Sequence, residues 1–140
     1  IFTAAAAGDV HLGRSAAQLI GMQYHAQLAE LLAVKGDTPE AFAQFMAGMA
    51  AGQGDALSWE PDPNAGQHGD EGAVLIHQHS WRLMRGLAPL HTAVFEAWNG
   101  LWEGALMVHN RFLVLEPLAR MDLGDDRFTW RVRRRKVQTF

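Results

Sequence analysis

The stretch with the strongest helical periodicity runs from about Pro89 to Asn110. Because an α-helix turns about 100° per residue, positions three, four or seven apart share a face. The stretch then separates into an apolar face (His91, Phe95, Trp98, Trp102, Ala105, His109), a strip of small residues (Ala93, Ala97, Gly100, Gly104) and a polar stripe (Thr92, Glu96, Asn99, Glu103, Asn110). A surface helix needs only the first and the last of these. The pattern therefore predicts a helix packed against several neighbours.

Two helices are predicted before it. The first spans Arg14 to Val34, with apolar residues at helical spacing, and Lys35-Gly36 marks its end. Thr38-Pro39-Glu40 starts the second, with a capping residue followed by proline and an early acid, and Gly52-Gln53-Gly54 ends it. The short connection predicts a helical hairpin. The residues expected to be buried are Ala17, Ile20, Tyr24, Leu28, Leu31 and Leu32 in the first helix and Phe42, Phe45, Met46 and Met49 in the second.

Alternating apolar and polar positions predict the strands. A short one is expected at 56–60 and a longer one at 72–84, where Leu75, His77, His79, Trp81 and Leu83 would share a face. The turn-rich residues 61–72 between them form a loop, either a solvated connection or a lid over a site. A hairpin at 113–123 and 127–136 closes at Gly124-Asp125-Asp126, with Pro117 at a bend or an edge. Phe128, Trp130 and Val132 would point inward.

This order of elements predicts one α+β domain over residues 1–140. Its N-terminal helical hairpin and long central helix would pack on a small antiparallel sheet that ends in a β-hairpin. The aromatic side of the long helix would cover the sheet.

Composition excludes several classes of function. With 49 % hydrophobic and 19 % charged residues and a net charge of −3, the chain has no basic excess for nucleic acid. It has no cysteine, and so no disulfide, thiolate ligand or cysteine nucleophile. No apolar run reaches the length of a transmembrane helix, and no membrane partner is expected. The cytoplasm is the default location, although the chain opens at Ile1 and an N-terminal segment could precede it.

His77-Gln78-His79 is the sharpest local motif. On a strand the two imidazoles would face one side about 7 Å apart, which suits two ligands of a mononuclear metal. A catalytic metal needs a third protein ligand. Glu96, Glu103 or His109 would supply it if the long helix crossed that face. The alternative is a pair of neutral, hydrogen-bonded histidines beside Trp81. The sequence fixes no cofactor, and a metal is the one under consideration.

The acid-base candidates are His77, His79, Glu96, Glu103 and His109. Glu96 and Glu103 lie on one helix face about 10 Å apart, too far for a direct pair, but either would serve as a general acid or base if buried. The alternative is a solvated polar stripe, which the usual pattern of exposed helix faces favours. Trp81, Trp102 and Arg82 are the candidate substrate-binding residues. His109 is also compatible with a structural role in the core.

The small-residue strip of the long helix and the basic cluster at the C-terminus each have two interpretations. Small residues four apart let another backbone approach closely, either the first helix of the same chain or a second copy. The basic cluster would protect an edge strand or bind an anionic partner, and it consists of Arg131, Arg133, Arg134, Arg135 and Lys136.

The C-terminal segment MDLGDDRFTWRV, after the helices, strand and long helix, resembles small domains of the 2-amino-thiazoline-4-carboxylate hydrolase and vinyl-reductase-like group. The resemblance covers about residues 70–135. It implies an α+β domain that binds a small organic molecule, with hydrolysis as one outcome. Thiol-dependent chemistry of that group cannot operate in a chain without cysteine.

Three functions follow as hypotheses. The first is a hydrolase, or a subunit of one, that acts on a small polar substrate through His and Glu acid-base chemistry. The second is a non-catalytic domain that assembles a homo-oligomer or joins a partner subunit through the central helix. The third is a mononuclear metal enzyme with His77 and His79 as ligands.

Overall fold

The computed structural model describes residues 10–65, 72–82 and 92–135. Its three helices are α1 (Val10–Leu31), α2 (Pro39–Gly52) and α3 (Thr92–His109). The strands are β1 (Leu57–Pro61), β2 (Val74–Gln78), β3 (Leu113–Ala119) and β4 (Phe128–Arg134), with a 3₁₀ turn at Met121–Leu123. The predicted α+β class is confirmed.

The four strands form one antiparallel sheet in the order β1-β2-β4-β3. Gly124 takes the left-handed conformation at a φ of 104° in the predicted turn, and the Asp125 carboxylate accepts a hydrogen bond from the backbone N–H of Arg120 at 2.8 Å. Pro117 lies where the register of edge strand β3 shifts, which confirms its predicted position. Proline lacks the N–H of a regular ladder and is tolerated at such sites.

The core lies between α3 and one face of the sheet. Phe128, Trp130 and Val132 are fully buried, as predicted. The indole N–H of Trp130 donates to the side-chain oxygen of Asn99 on α3 at 3.0 Å, so this face of the sheet is the one that α3 covers. Phe42, Phe45 and Met46 of α2 complete the same core, and the predicted Thr38 cap accepts from the Ala41 N–H at 3.1 Å.

The strand predicted at 72–84 is too long. β2 ends at Gln78, because the residues after it bond to the buried carboxylate of Asp55 instead of a neighbouring strand. The Ser80 hydroxyl and the Arg82 N–H donate to Asp55 Oδ1 at 2.9 and 3.1 Å. Residues 83–84 and the predicted lid residues 66–71 lie outside the described part of the chain, as does His91.

The first helix also differs from its predicted bounds. It ends at Leu31 rather than Val34, and Ala33 takes a positive φ of 56° just beyond it. Among the helices of the described residues, none is long and apolar enough to cross a membrane.

Candidate functional site

The contact between α1 and α3 is built on glycine. A Cβ on Gly21 would stand 2.8 Å from the backbone nitrogen of Ala105, and one on Gly104 would stand 2.8 Å from the Cα of Gln18. Real Cβ atoms are not found this close, so both positions require glycine. We call Gly21, Gly100 and Gly104 the glycine seam. It assigns the small-residue strip of α3 to contact with the first helix of the same chain.

The two helices run in the same direction. Arg14 lies against Gly100 and Gln18 against Gly104, and the rings of His25 and His109 are 5.4 Å apart at the far end. Because the seam uses the small residues of α1, its large apolar side chains lie to either side of the contact. From Leu12 to its end, the buried residues of α1 are Gly13, Ala17, Gly21 and His25. Of the stripe predicted to be buried, only Ala17 lies in the core, while Tyr24 and Leu31 are exposed.

One side of this contact opens into an apolar pocket of about 290 Å³ between the three helices. Its lining contains no ionisable group except the phenol of Tyr24, which stands half exposed at the edge. The lining residues are Ile20, Gly21, Tyr24, Leu28, Phe45, Met49, Leu101, Trp102 and Ala105. Ligand pockets typically have volumes of about 300–1,000 Å³, so this one is at the small end. The sequence pattern placed Ile20, Tyr24 and Leu28 on one face but gave no sign that the face borders a cavity.

His25 lies buried at the junction of the three helices. Its ring is 4.8 Å from that of Phe45 on α2 and 5.4 Å from that of His109 on α3. Its Nε2 has no hydrogen-bond partner among the described residues. Burial, and secondly the charge of His109, lower the pKa of His25 below its ordinary value of 6.5. His109 donates from Nε2 to the backbone oxygen of Thr38 at 3.0 Å, and so ties the end of α3 to the start of α2.

The carboxylates of Glu96 and Glu103 form ion pairs with arginines. Arg14 Nη2 lies 3.0 Å from both carboxylate oxygens of Glu103, and its Nη1 lies 3.7 Å from Glu96. Arg120 reaches Glu96 at 3.4 Å and stacks 4.0 Å above the ring of Phe95. The two carboxylates therefore share a positive partner and dock α1 and the segment after β3 onto α3. The sequence predicted neither arginine, because both partners are distant along the chain.

His77 lies on the opposite face of the sheet from α3. It pairs with Thr129, while its neighbour Ile76 pairs with Trp130 in the core. Its Nδ1 lies 3.0 Å from the Thr129 hydroxyl oxygen and its Nε2 lies 3.5 Å from the Glu60 carboxylate. His79 follows the end of β2 and is exposed. His77 therefore contacts residues of β1 and β4. It lies across the sheet from Glu96, Glu103 and His109 on α3.

The three candidate substrate-binding residues have different surroundings. Trp81 is buried in the core, with its ring 4.6 Å from that of Trp98. Trp102 lines the apolar pocket. Arg82 lies against Gly54, near the Asp55 carboxylate that holds its backbone N–H.

Within residues 10–65, 72–82 and 92–135, no group of three or more histidine and acidic side chains has the arrangement of a metal site. His77 has Glu60 as its acidic neighbour, and the helix residues expected as a third ligand lie across the sheet. Metal binding by His77 and His79, like acid-base catalysis by the five candidate residues, remains a prediction from the sequence.

Comparisons with known proteins give one structural likeness. No protein-family model matches the chain, and no curated protein matches it. The fold is similar to the crystal structure of a trafficking protein particle complex subunit 3 from Naegleria fowleri covalently bound to palmitic acid. The TM-score is 0.63 at 15 % identity, over 95 % of this chain and 86 % of that one. At this identity the likeness shows the fold alone.

This finding corrects the resemblance drawn from the C-terminal segment. The chain shares its fold with a trafficking-complex subunit, and the assignment to the 2-amino-thiazoline-4-carboxylate hydrolase group is wrong. The pattern of the hairpin segment is not specific to that group, because a glycine turn between alternating strands is common to many small sheets. The hydrolase expectation and its small polar substrate, which rested partly on that resemblance, lose their support. What the comparisons show is that this chain has the α+β fold of a subunit of a trafficking particle.

Proposed function

We propose that this chain is a non-catalytic subunit of a multiprotein assembly. The observation that carries the proposal is the surface of α1. Between Ser15 and Ala29 the helix has no lysine, arginine, aspartate or glutamate, yet Leu19, Met22 and Tyr24 are exposed there. A helix that faces water normally carries charge on that side.

Other large apolar side chains are also exposed. Leu31 at its end is 80 % exposed, and Met107, Val108 and Phe112 are exposed at the end of α3 and beyond. Contiguous apolar surface on a small protein marks an interaction site more often than chance. The fold, shared with a protein that is itself a complex subunit, favours the same interpretation.

The test is the size and composition of the protein isolated from its own cells. A tagged copy should elute in gel filtration far above the 15.5 kDa of the chain and carry other chains in fixed stoichiometry. Replacing both Leu19 and Tyr24 by glutamate should release it from those chains. Elution of the tagged wild type without any other chain would contradict the proposal.

A second candidate function is reversible binding of a long apolar chain in the pocket. The lining is almost entirely apolar, and the structurally similar subunit carries palmitic acid. Covalent attachment of an acid needs a nucleophilic side chain. The pocket offers only the Tyr24 phenol, and the chain has no cysteine. The ligand would therefore be held by burial of its methylene groups, each worth about 0.8 kcal/mol.

Equilibrium dialysis with labelled palmitate tests this second function. Met49→Trp should fill the pocket and weaken saturable binding at least tenfold, whereas Met107→Trp, outside the pocket, should leave it unchanged. Mass spectrometry of the denatured protein should show no added mass. Binding that does not saturate, or that survives Met49→Trp, would rule the pocket out as the site.

A further inference from the structure

A shallow groove of about 160 Å³ runs along one edge of β3. Its lining includes Leu106 and Met107 of α3, Leu113, Val114 and Leu115 of β3, and Arg135. Neighbouring residues of a strand point to opposite faces of a sheet, so a cavity that three consecutive residues of β3 line must lie at the edge of that strand. In the part of the chain that the structure describes, β3 is an edge strand and pairs only with β4. We call this cavity the β3 groove.

The backbone of β3 has unpaired hydrogen-bonding groups beside the groove. The N–H of Arg135 donates to the carbonyl of Phe112 at 2.6 Å, so these two residues are a hydrogen-bonded pair. Hydrogen-bonded and non-hydrogen-bonded pairs alternate in an antiparallel ladder, so Leu113 and Leu115 direct their backbone groups away from β4. The N–H of Leu113 donates to the carbonyl of Asn110 at 3.1 Å. The C=O of Leu113 and both backbone groups of Leu115 are therefore free to pair with an added strand.

Three arginines lie at the Phe112 end of this edge. Arg135 lines the groove, Arg134 is the partner of Leu113 in the β3–β4 register, and the Arg111 guanidinium lies 4.9 Å above the Phe112 ring. All three arginines are exposed. None of them forms an ion pair with a carboxylate of the described residues. This end of the β3 groove is therefore positively charged.

The other charges near the groove are already paired. Glu103, which borders the groove, binds Arg14, and Arg133 binds Glu116. Protection of an edge strand, the first interpretation of the basic cluster, does not explain its arginines, because they lie on or directly after β4, an inner strand. The second interpretation, an anionic partner, fits the unpaired arginines.

We propose that the β3 groove binds an extended, acidic segment of a partner chain, which adds a strand to β3. This inference rests on the proposed role as an assembly subunit. One apolar side chain of the segment would enter the groove between Met107 and Leu115, and carboxylates next to it would pair with Arg134 and Arg135. Guanidinium binds carboxylate in bidentate fashion. A lipid surface or a free anion would use the arginines but would leave the backbone groups of β3 unpaired, so a polypeptide fits all three features.

The site is short. Pro117 lies where the register of β3 shifts and has no N–H, so regular pairing of an added strand ends before it. The segment would therefore pair with Leu113 and Leu115, and its specificity would come from the apolar side chain in the groove and from the carboxylates.

Selection from a displayed library of random peptides tests the proposal. The immobilised full chain should enrich peptides that have an apolar residue within a few positions of two or more aspartates or glutamates. The Arg134→Glu/Arg135→Glu chain should enrich no acidic peptides, because both exposed cations are reversed. Arg127→Glu, just before the other end of β4, is the matched control and should enrich the same peptides as the wild type. A wild type that enriches no acidic peptides, or a double variant that still binds them, would overturn the proposal.

Strand addition has its own readout on a synthetic copy of an enriched peptide. Successive N–H groups of an extended segment point to opposite sides, so only alternate ones would face β3. N-methylation of that set should weaken binding at least tenfold in fluorescence anisotropy, whereas N-methylation of the other set should leave it nearly unchanged. Equal effects of the two sets would show that the peptide does not add a strand.

Other occupants of the groove give different results. If residues 136–140 of the same chain fill it, peptides should be enriched only after those residues are removed. If a second copy fills it, the full chain should be oligomeric in light scattering and the Arg134→Glu/Arg135→Glu chain should be monomeric. Either result would overturn binding of a partner segment.

Failure of the groove and failure of the subunit role can be told apart. A chain that binds no acidic peptide but is isolated from its cells with other chains would keep the subunit role and lose the groove. A chain that binds acidic peptides but is isolated alone would lose the subunit role and keep the groove.

Discussion

The indole nitrogen of Trp130 donates a hydrogen bond to the side-chain oxygen of Asn99 at 3.0 Å, and both side chains are buried. This bond joins β4, one of the two inner strands, to the middle of α3. The bond is a polar contact within an interface that is otherwise largely apolar, so it sets the register of the helix on the sheet.

Replacing Asn99 by leucine should destabilise the protein by about 1–3 kcal/mol, because the Trp130 N–H would be buried without an acceptor. Urea unfolding measures the change. The Asn99→Leu/Trp130→Phe double variant should lose less stability than the sum of the losses in the two single variants, since both the donor and the acceptor are then absent. Strict additivity would show that the bond contributes nothing.

In the glycine seam, glycine should be more stabilising than alanine, which is the reverse of their usual order in helices. Alanine is favoured over glycine by about 1 kcal/mol in an exposed helix. Gly104→Ala should nevertheless destabilise the protein by about 1–3 kcal/mol, because the new methyl group meets the backbone of Gln18. Gly52→Ala is the matched control, since nothing lies within 4 Å of its Cβ position. Equal effects at the two positions would mean that α1 does not pack as described.

The Arg14–Glu103 pair should stabilise the folded state by about 0.5–1 kcal/mol. This contribution should weaken with salt, because both partners are partly exposed. Arg14→Gln, followed by thermal unfolding at low and at molar salt, measures it. Arg127→Gln removes an exposed pair with Asp126 and should have no measurable effect. A loss on Arg14→Gln that is the same at both salt concentrations would point to packing of the arginine stem instead.

Burial of His25 predicts that stability falls in mild acid. Its pKa is lowered in the folded state, so below 6.5 the unfolded chain takes up a proton that the folded chain does not. The melting temperature should therefore fall between pH 7 and pH 5. His109 of α3 and the Phe45 ring of α2 are the groups that face His25, and neither offers it a negative charge.

The matched pair of variants for this effect is His25→Leu and His79→Leu. Removing His25 should flatten the pH dependence, whereas removing the exposed His79 should leave the slope of the wild type. The same slope in all three proteins would assign the acid sensitivity to other groups.

Local patterns predicted the helices, the strand faces and the C-terminal turn. Thr38-Pro39-Glu40 specifies a helix start through a side-chain cap and a fixed φ, and Phe128, Trp130 and Val132 specify an inner face through simple alternation. The alternating pattern predicted the strand wrongly after Gln78, because Ser80 and Arg82 donate hydrogen bonds to the carboxylate of Asp55, more than twenty residues away, instead of pairing in the sheet.

The sequence by itself determined the periodicity of each element, the absence of thiol chemistry and the strip of small residues on α3. Only the tertiary structure decided which element packs against that strip. It also decided that Arg14 and Arg120 form ion pairs with Glu96 and Glu103, and that His77 faces away from α3. The physical reason is that periodicity defines the faces of an element locally. The partner of each face depends on contacts between distant segments, whose free energy is set by shape and burial in the assembled fold.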